Sequence, residues 1–177
     1  MNWIYCSGAK KQEKSSSKMD IFAHALWVYI LFNKQKNKLL AILFGVLPDL
    51  LSFGPFFLIN LFSEETVFNK PHLANIPPYV YASYNITHSL IIAFAVILLV
   101  YIITKKLHLF LLAWPLHISI DIFSHSEEFF PTPFLYPISS FHIGLISWGN
   151  PIFMLINYVL IFSCLIYIIW KKKHSKS

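Results

Sequence analysis

The chain has 177 residues, of which 56% are hydrophobic, 18% aromatic and only 12% charged, with a mean hydropathy of +0.60. That balance excludes an ordinary soluble globular domain and points to a small membrane protein. The formal net charge of +6 comes from fourteen basic residues, every one a lysine. They gather at the ends of apolar runs, which topology explains without any nucleic-acid partner.

In chain order, residues 1–18 are polar, with four lysines and three consecutive serines, and have no apolar core long enough for a signal peptide; they read as a disordered extension. A first apolar segment, 20–33, contains His24 and is short for a crossing, which needs about 20 residues. The second, 39–62, is long enough to cross. Gly45, the Pro48-Asp49 pair and Gly54-Pro55 predict a helix broken at Pro48, a discontinuity tolerated where backbone lines a cavity. A polar loop, 63–83, leads to a third segment, 86–104, opening at His88-Ser89. The fourth, 107–123, carries His117 and Asp121. A loop rich in proline and aromatic residues, 124–149, precedes the fifth, 151–170, which stops at Lys171-Lys172-Lys173. The expected fold is all-α: a polytopic membrane bundle of four or five apolar helices over 19–170, followed by a basic cytoplasmic tail at 171–177. Cys6 and Cys164 are too few for a disulfide framework.

The lysines set an orientation. Lys34, Lys36 and Lys38 separate segments one and two, Lys105 and Lys106 separate three and four, and Lys171 to Lys173 follow five, whereas the loop 124–149 has no basic residue. The positive-inside rule places those clusters in the cytoplasm and the loops 63–85 and 124–149 outside. His24, His88, His117, Asp121 and His125 then converge on the outer half of the membrane, with Asp49 deeper, at the Pro48 break.

Such residues at membrane depth are costly and mark functional sites. His117, Asp121 and His125 recur at four-residue spacing, so they form one stripe on a helix. A His-x-x-x-Asp pair lets nitrogen and carboxylate reach one zinc-like ion. His117 and His125 are about 12 Å apart along a helix and cannot share an ion unless the helix ends; Asp121 could instead bridge two ions, at the spacing of about 3.5–4 Å used in phosphoryl transfer. Without arginine there is no bidentate guanidinium clamp, so an anionic substrate would have to be held by metal, lysine or backbone donors. His72, His108, His142 and His174 read as loop, interfacial or tail residues, although His142 could reach the site.

The ordered set His24, Pro48-Asp49, His88-Ser89, His117-x-x-x-Asp121 and Tyr136-Pro137-Ile138-Ser139 resembles the LexA-regulated, inner-membrane metal-dependent hydrolases of bacteria, which are similar to the zinc-dependent phospholipase C and single-strand nuclease group. The resemblance covers about 19–157. It implies a zinc ion on Asp49, His88, His117 and Asp121, and a neighbouring ion at His24 and Asp121. It also implies phosphoester hydrolysis by a metal-activated water that Asp49 orients or deprotonates, with membrane lipid as surroundings and a phospholipid-like molecule as substrate. Leu51 stands where many members have a second acid. The competing readings are a divalent-metal transporter or sensor on the same residues, or a non-catalytic membrane scaffold.

Lys10, Lys11, Lys14 and Lys18 would fall outside if segment one runs inward, against the bias of the other clusters. A start at Met19 removes the conflict, so 1–18 is expected to be an upstream misreading of the gene or a dispensable tail.

Overall fold

A computed structural model describes residues 21–61, 73–127 and 130–175. The expected extension at 1–18 lies outside them. The described residues form seven α-helices and no strand: α1 (Ile21–Leu31), α2 (Lys38–Ser52), α3 (Gly54–Ile59), α4 (Pro78–Thr87), α5 (Leu90–Thr104), α6 (Ala113–Ser124) and α7 (Pro151–His174), with single 3-10 turns at Leu73–Asn75 and Leu109–Leu112.

The helix α2 is the hub, packing on α1, α4 and α6. It approaches α1 closely because Gly45 presents no side chain: a Cβ there would stand 2.5 Å from Cγ2 of the fully buried Val28. Small residues let helix backbones approach in this way. The expected break at Pro48 is not where the chain turns. Helix α2 runs through Pro48 to Ser52, and the discontinuity falls at Phe53, before the Gly54-Pro55 start of α3, where a proline fits the first helical turn.

Helix α4 occupies the end of the segment expected to be a polar loop. Its start is Pro77-Pro78, and it buries Val80, Tyr84 and Thr87, a helical stripe that its tyrosines, serine and asparagine obscure. Val80 and Tyr84 pack with Phe53, Phe56, Ile76 and Phe130. Helix α5 follows at an angle of 57°. Ser89 caps it, the hydroxyl accepting from Ile92 N at 3.2 Å and donating to the Tyr136 carbonyl, while Leu90 N donates to Phe134 O at 3.0 Å. The Tyr136-Pro137 stretch thus seats the His88-Ser89 turn.

A polytopic bundle of four or five apolar helices, the first short, is expected, but α7, with 24 residues, is the one described helix long and apolar enough to cross a membrane, and α4 with α5 make a second span only if counted as one bent unit. Helices α1 and α6, at 11 and 12 residues, are too short alone. Within α7 only Asn157 and Ile161 are buried, and it lies on α1, where Trp27 donates to Asn157 Oδ1 at 2.9 Å. Its helix continues through Lys171, Lys172 and Lys173, residues expected to lie in a tail.

Candidate metal centre

Six side chains from four parts of the fold meet in one buried cluster. His24 comes from the first turn of α1, Asp49 from the last turn of α2, His88 from the bend between α4 and α5, His117 and Asp121 from α6, and His125 from the residue that ends α6. All are buried, none more than 7% exposed. The helix ends at Ser124, and His125 leaves it in an extended conformation (φ −94°, ψ 132°). His117 and His125 each stand four residues from Asp121, where side chains on one helix face meet, and they reach different oxygens of its carboxylate.

Asp121 is the pivot. Its Oδ2 lies 3.0 Å from His117 Nε2 and 3.4 Å from His88 Nε2, while its Oδ1 lies 3.1 Å from His24 Nε2 and 3.5 Å from His125 Nε2. Asp49 Oδ1 completes the first group at 3.4 Å from His88 Nε2 and 3.7 Å from His117 Nε2. One ligand atom each from Asp49, His88, His117 and Asp121 lies within 4.8 Å of the other three.

These lengths can be tested against an ion. Four ligands bonded at about 2.0–2.1 Å around a tetrahedral centre stand roughly 3.3–3.4 Å apart. The five separations among Asp49 Oδ1, His88 Nε2, His117 Nε2 and Asp121 Oδ2 given by the structure run from 3.0 to 3.7 Å. The group therefore could hold a metal ion. The remaining donors, Asp121 Oδ1, His24 Nε2 and His125 Nε2, form a second set on the other side of the same carboxylate.

Electrostatics point the same way. The oxygens of Asp49 and Asp121 face only histidine nitrogens, at 3.0 to 3.7 Å, and Nδ1 of His24 and of His117 has no hydrogen-bond partner. Two buried carboxylates side by side are expensive unless positive charge, on the imidazoles or on an ion among them, compensates.

Two of the histidines are braced as ligands are. His88 Nδ1 lies 3.2 Å from Tyr84 O and 3.0 Å from Thr87 Oγ1; since the Thr87 hydroxyl donates to Ser83 O at 2.9 Å, the proton is inferred on His88 Nδ1, leaving Nε2 a lone pair. His125 Nδ1 donates to Phe130 O at 2.9 Å, with the same consequence. Phe130 holds a left-handed backbone, φ 48°, uncommon for a bulky residue and kept by ring packing on Phe53, Tyr81 and Tyr84.

No family model, curated protein or solved structure matches the chain. The site is therefore read from its own geometry. The structure brings all six sequence-predicted candidates together, and leaves the others apart: the His108 ring lies tilted against Phe110 beyond α5, His142 Nδ1 pairs with Ser140 O, and His174 Nδ1 pairs with Trp170 O; His72 lies outside the described residues. Leu51 is 51% exposed, on the outer face of α2. Sequence reasoning missed the supports. Tyr84, Phe130 and Trp148, whose ring meets His24 edge-on at 5.4 Å, gave no signal beyond the placement of Tyr84 one helical turn before His88.

Proposed function

We propose that the protein is a membrane-embedded, zinc-dependent hydrolase of phosphoesters in which Asp49, His88, His117 and Asp121 would hold one ion and His24, His125 and Asp121 a second. The observation that carries this reading is the division of the Asp121 carboxylate, with Oδ2 toward His88 and His117 and Oδ1 toward His24 and His125. A shared carboxylate suits a pair of ions about 3.5–4 Å apart, the arrangement that clamps the attacking and leaving oxygens of a phosphoryl displacement. Imidazole and carboxylate at tetrahedral spacing suit zinc. The resemblance to the LexA-regulated membrane hydrolases supports the same chemistry.

When bound, the ions supply charge for a phosphoryl oxygen and acidify a water. The chain does the rest. Asp49 offers Oδ1 to the quartet and keeps Oδ2 without a hydrogen-bond partner, free to orient the attacking water or take its proton. His88 and His125 are held with Nε2 unprotonated by their backbone partners.

The membrane setting rests on α7 and on the short apolar helices around it. From Pro151 to Lys171, α7 covers about 30 Å at 1.5 Å per residue, the thickness of the hydrocarbon core. Its first turn lies beside Trp148, which touches His24, and the lysines mark the opposite end. The centre then sits near the headgroups of the outer leaflet of a bacterial inner membrane, and its substrate is a phospholipid-like phosphoester. A transporter would need polar groups leading to the lysine end; among the described residues, every buried histidine and carboxylate belongs to the cluster.

The test is metal analysis of the detergent-purified chain with hydrolysis assays on bis(p-nitrophenyl) phosphate and on phospholipid vesicles. About two zinc ions per chain and activity that His117→Ala abolishes are expected. Zinc binding with no hydrolysis of either substrate, and zinc uptake into protein-loaded vesicles, would replace the enzyme by a transporter.

A further inference from the structure

Tyr84 touches both sets of donors from outside. Its ring is stacked on His88, with centroids 3.8 Å apart and planes 19° from parallel, and its backbone carbonyl faces His88 Nδ1. Its hydroxyl lies 3.0 Å from Phe130 O, 3.3 Å from His125 Nδ1 and 3.2 Å from Thr132 Oγ1. Tyr84 is 2% exposed and Thr132 is fully buried, so water cannot replace these bonds.

The Phe130 carbonyl is the shared point. It accepts from His125 Nδ1 and from the Tyr84 hydroxyl, and it can do both because a carbonyl oxygen has two lone pairs. With the hydroxyl in place, the carbonyl is fixed in direction, and His125 must carry its proton on Nδ1 and turn Nε2 to Asp121 Oδ1. Remove the hydroxyl and the carbonyl loses one of the two hydrogen bonds that direct it toward His125, which loosens the aim of the His125 ring. The His88 side depends on the Tyr84 ring and backbone, which a phenylalanine would retain.

We infer that the Tyr84 hydroxyl is a positioning group for the second ion alone, acting through Phe130 and His125, while the rest of Tyr84 buttresses His88 in the first set. This rests on the two-ion reading above. Partners of metal-bound histidines change metal affinity by about 10–100-fold when removed.

The experiment titrates detergent-purified full-length protein with Co2+, following its visible absorption, in wild type, Tyr84→Phe, Thr132→Val and Tyr81→Phe. Tyr81 serves as the control, since its hydroxyl bonds Leu73 O at the exposed end of α4. Wild type is expected to take two Co2+. Tyr84→Phe should keep the first at unchanged affinity and bind the second about tenfold to a hundredfold more weakly, with Thr132→Val affected in the same direction and Tyr81→Phe not at all. If Tyr84→Phe does not fold, the Thr132→Val titration decides in its place. Wild type that binds no Co2+, or one, overturns the two-ion centre itself. Wild type that binds two while Tyr84→Phe and Thr132→Val match it, or lose both ions equally, overturns the role of the hydroxyl alone.

Discussion

Nε2 of His88 and Nε2 of His117 face each other at 3.3 Å. His88 carries its proton on Nδ1, toward Tyr84 O and Thr87 Oγ1, so a neutral His88 turns a bare lone pair to its neighbour. Only a proton on His117 or a cation lying between the rings makes that contact attractive. With Asp49 Oδ1 and Asp121 Oδ2 beside them, the two nitrogens belong to a group that could hold one metal ion.

Removing any of these ligands should therefore empty the site. His88→Ala, His117→Ala and Asp121→Ala are each expected to fall to a small fraction of wild-type zinc by elemental analysis, because the remaining charges are left uncompensated and the coordination number is lost. His108→Ala should keep full content. Bound metal also stabilises the folded chain, by about 4 kcal/mol at a thousandfold excess over the dissociation constant, so chelator should lower the melting temperature of wild type and leave that of His117→Ala unchanged. Equal zinc in all four variants would remove the site.

What the sequence makes legible divides along physical lines. The stripe His117, Asp121 and His125 is legible because helical spacing is local, each histidine standing four residues from the carboxylate it meets. Helix α7 is legible because a run of twenty residues, apolar but for Asn157 and Ser163, opens at Asn150-Pro151 and stops at three lysines. The length of the other helices is not. Apolar composition marks 39–62 as one segment with candidate breaks at Pro48 and at Gly54-Pro55; the chain stops at the second, beside Phe53, whose ring packs on Phe130 and Tyr84, residues far along the chain. Helix α4 hides for a related reason: its buried stripe is three residues long, and two of them are Tyr84 and Thr87. The supports of the ligands are invisible, since a carbonyl such as Phe130 O has no side-chain identity to read.

The contact between α1 and α2 gives a stability prediction. Gly45→Ala places a methyl group 2.5 Å from Val28 Cγ2 and 3.2 Å from Val28 Cβ, in a core where Val28 has no free space. Overpacking of this kind costs about 1–3 kcal/mol. Pairing it with Val28→Ala removes the atom it strikes, so the double variant should be more stable than the sum of the two single losses. Strict additivity in a denaturation series would show that Gly45 and Val28 do not meet.

Gly144 joins the long loop to the end of α6. Ile146 N donates to Phe123 O at 3.2 Å and Trp148 N to Ser124 O at 3.1 Å, laying this extended stretch along the residues that carry His125. A Cβ at position 144 would stand 2.9 Å from both Glu127 N and His125 O, backbone atoms that cannot rotate away. Gly144→Ala is expected to cost about 1–3 kcal/mol and, on the two-ion proposal, to weaken binding of the ion that His24 and His125 would hold more than that of the other. A variant with wild-type stability and two equally tight ions would show that the loop does not position His125.

The orientation of the chain supplies the last prediction. His24 stands in the first turn of α1 with Lys34 beyond its end, His88 precedes α5 with Lys105 after it, and Trp148 precedes α7, which ends in three lysines. If those lysines face the cytoplasm, as the positive-inside rule predicts, the buried His/Asp cluster and the loop around Ser139 face outward. In a background with Cys6 and Cys164 replaced by alanine, Lys36→Cys and Lys106→Cys should resist a membrane-impermeant maleimide in intact cells and react after the membrane is opened. Ser139→Cys should react from outside at once; its hydroxyl accepts only from the nearby Phe141 N among the described residues, so the substitution leaves the cluster intact. Labelling in the reverse pattern would put the centre on the cytoplasmic side and exclude an outer-leaflet substrate, while free access to all three positions in intact cells would mean that the chain does not divide two compartments.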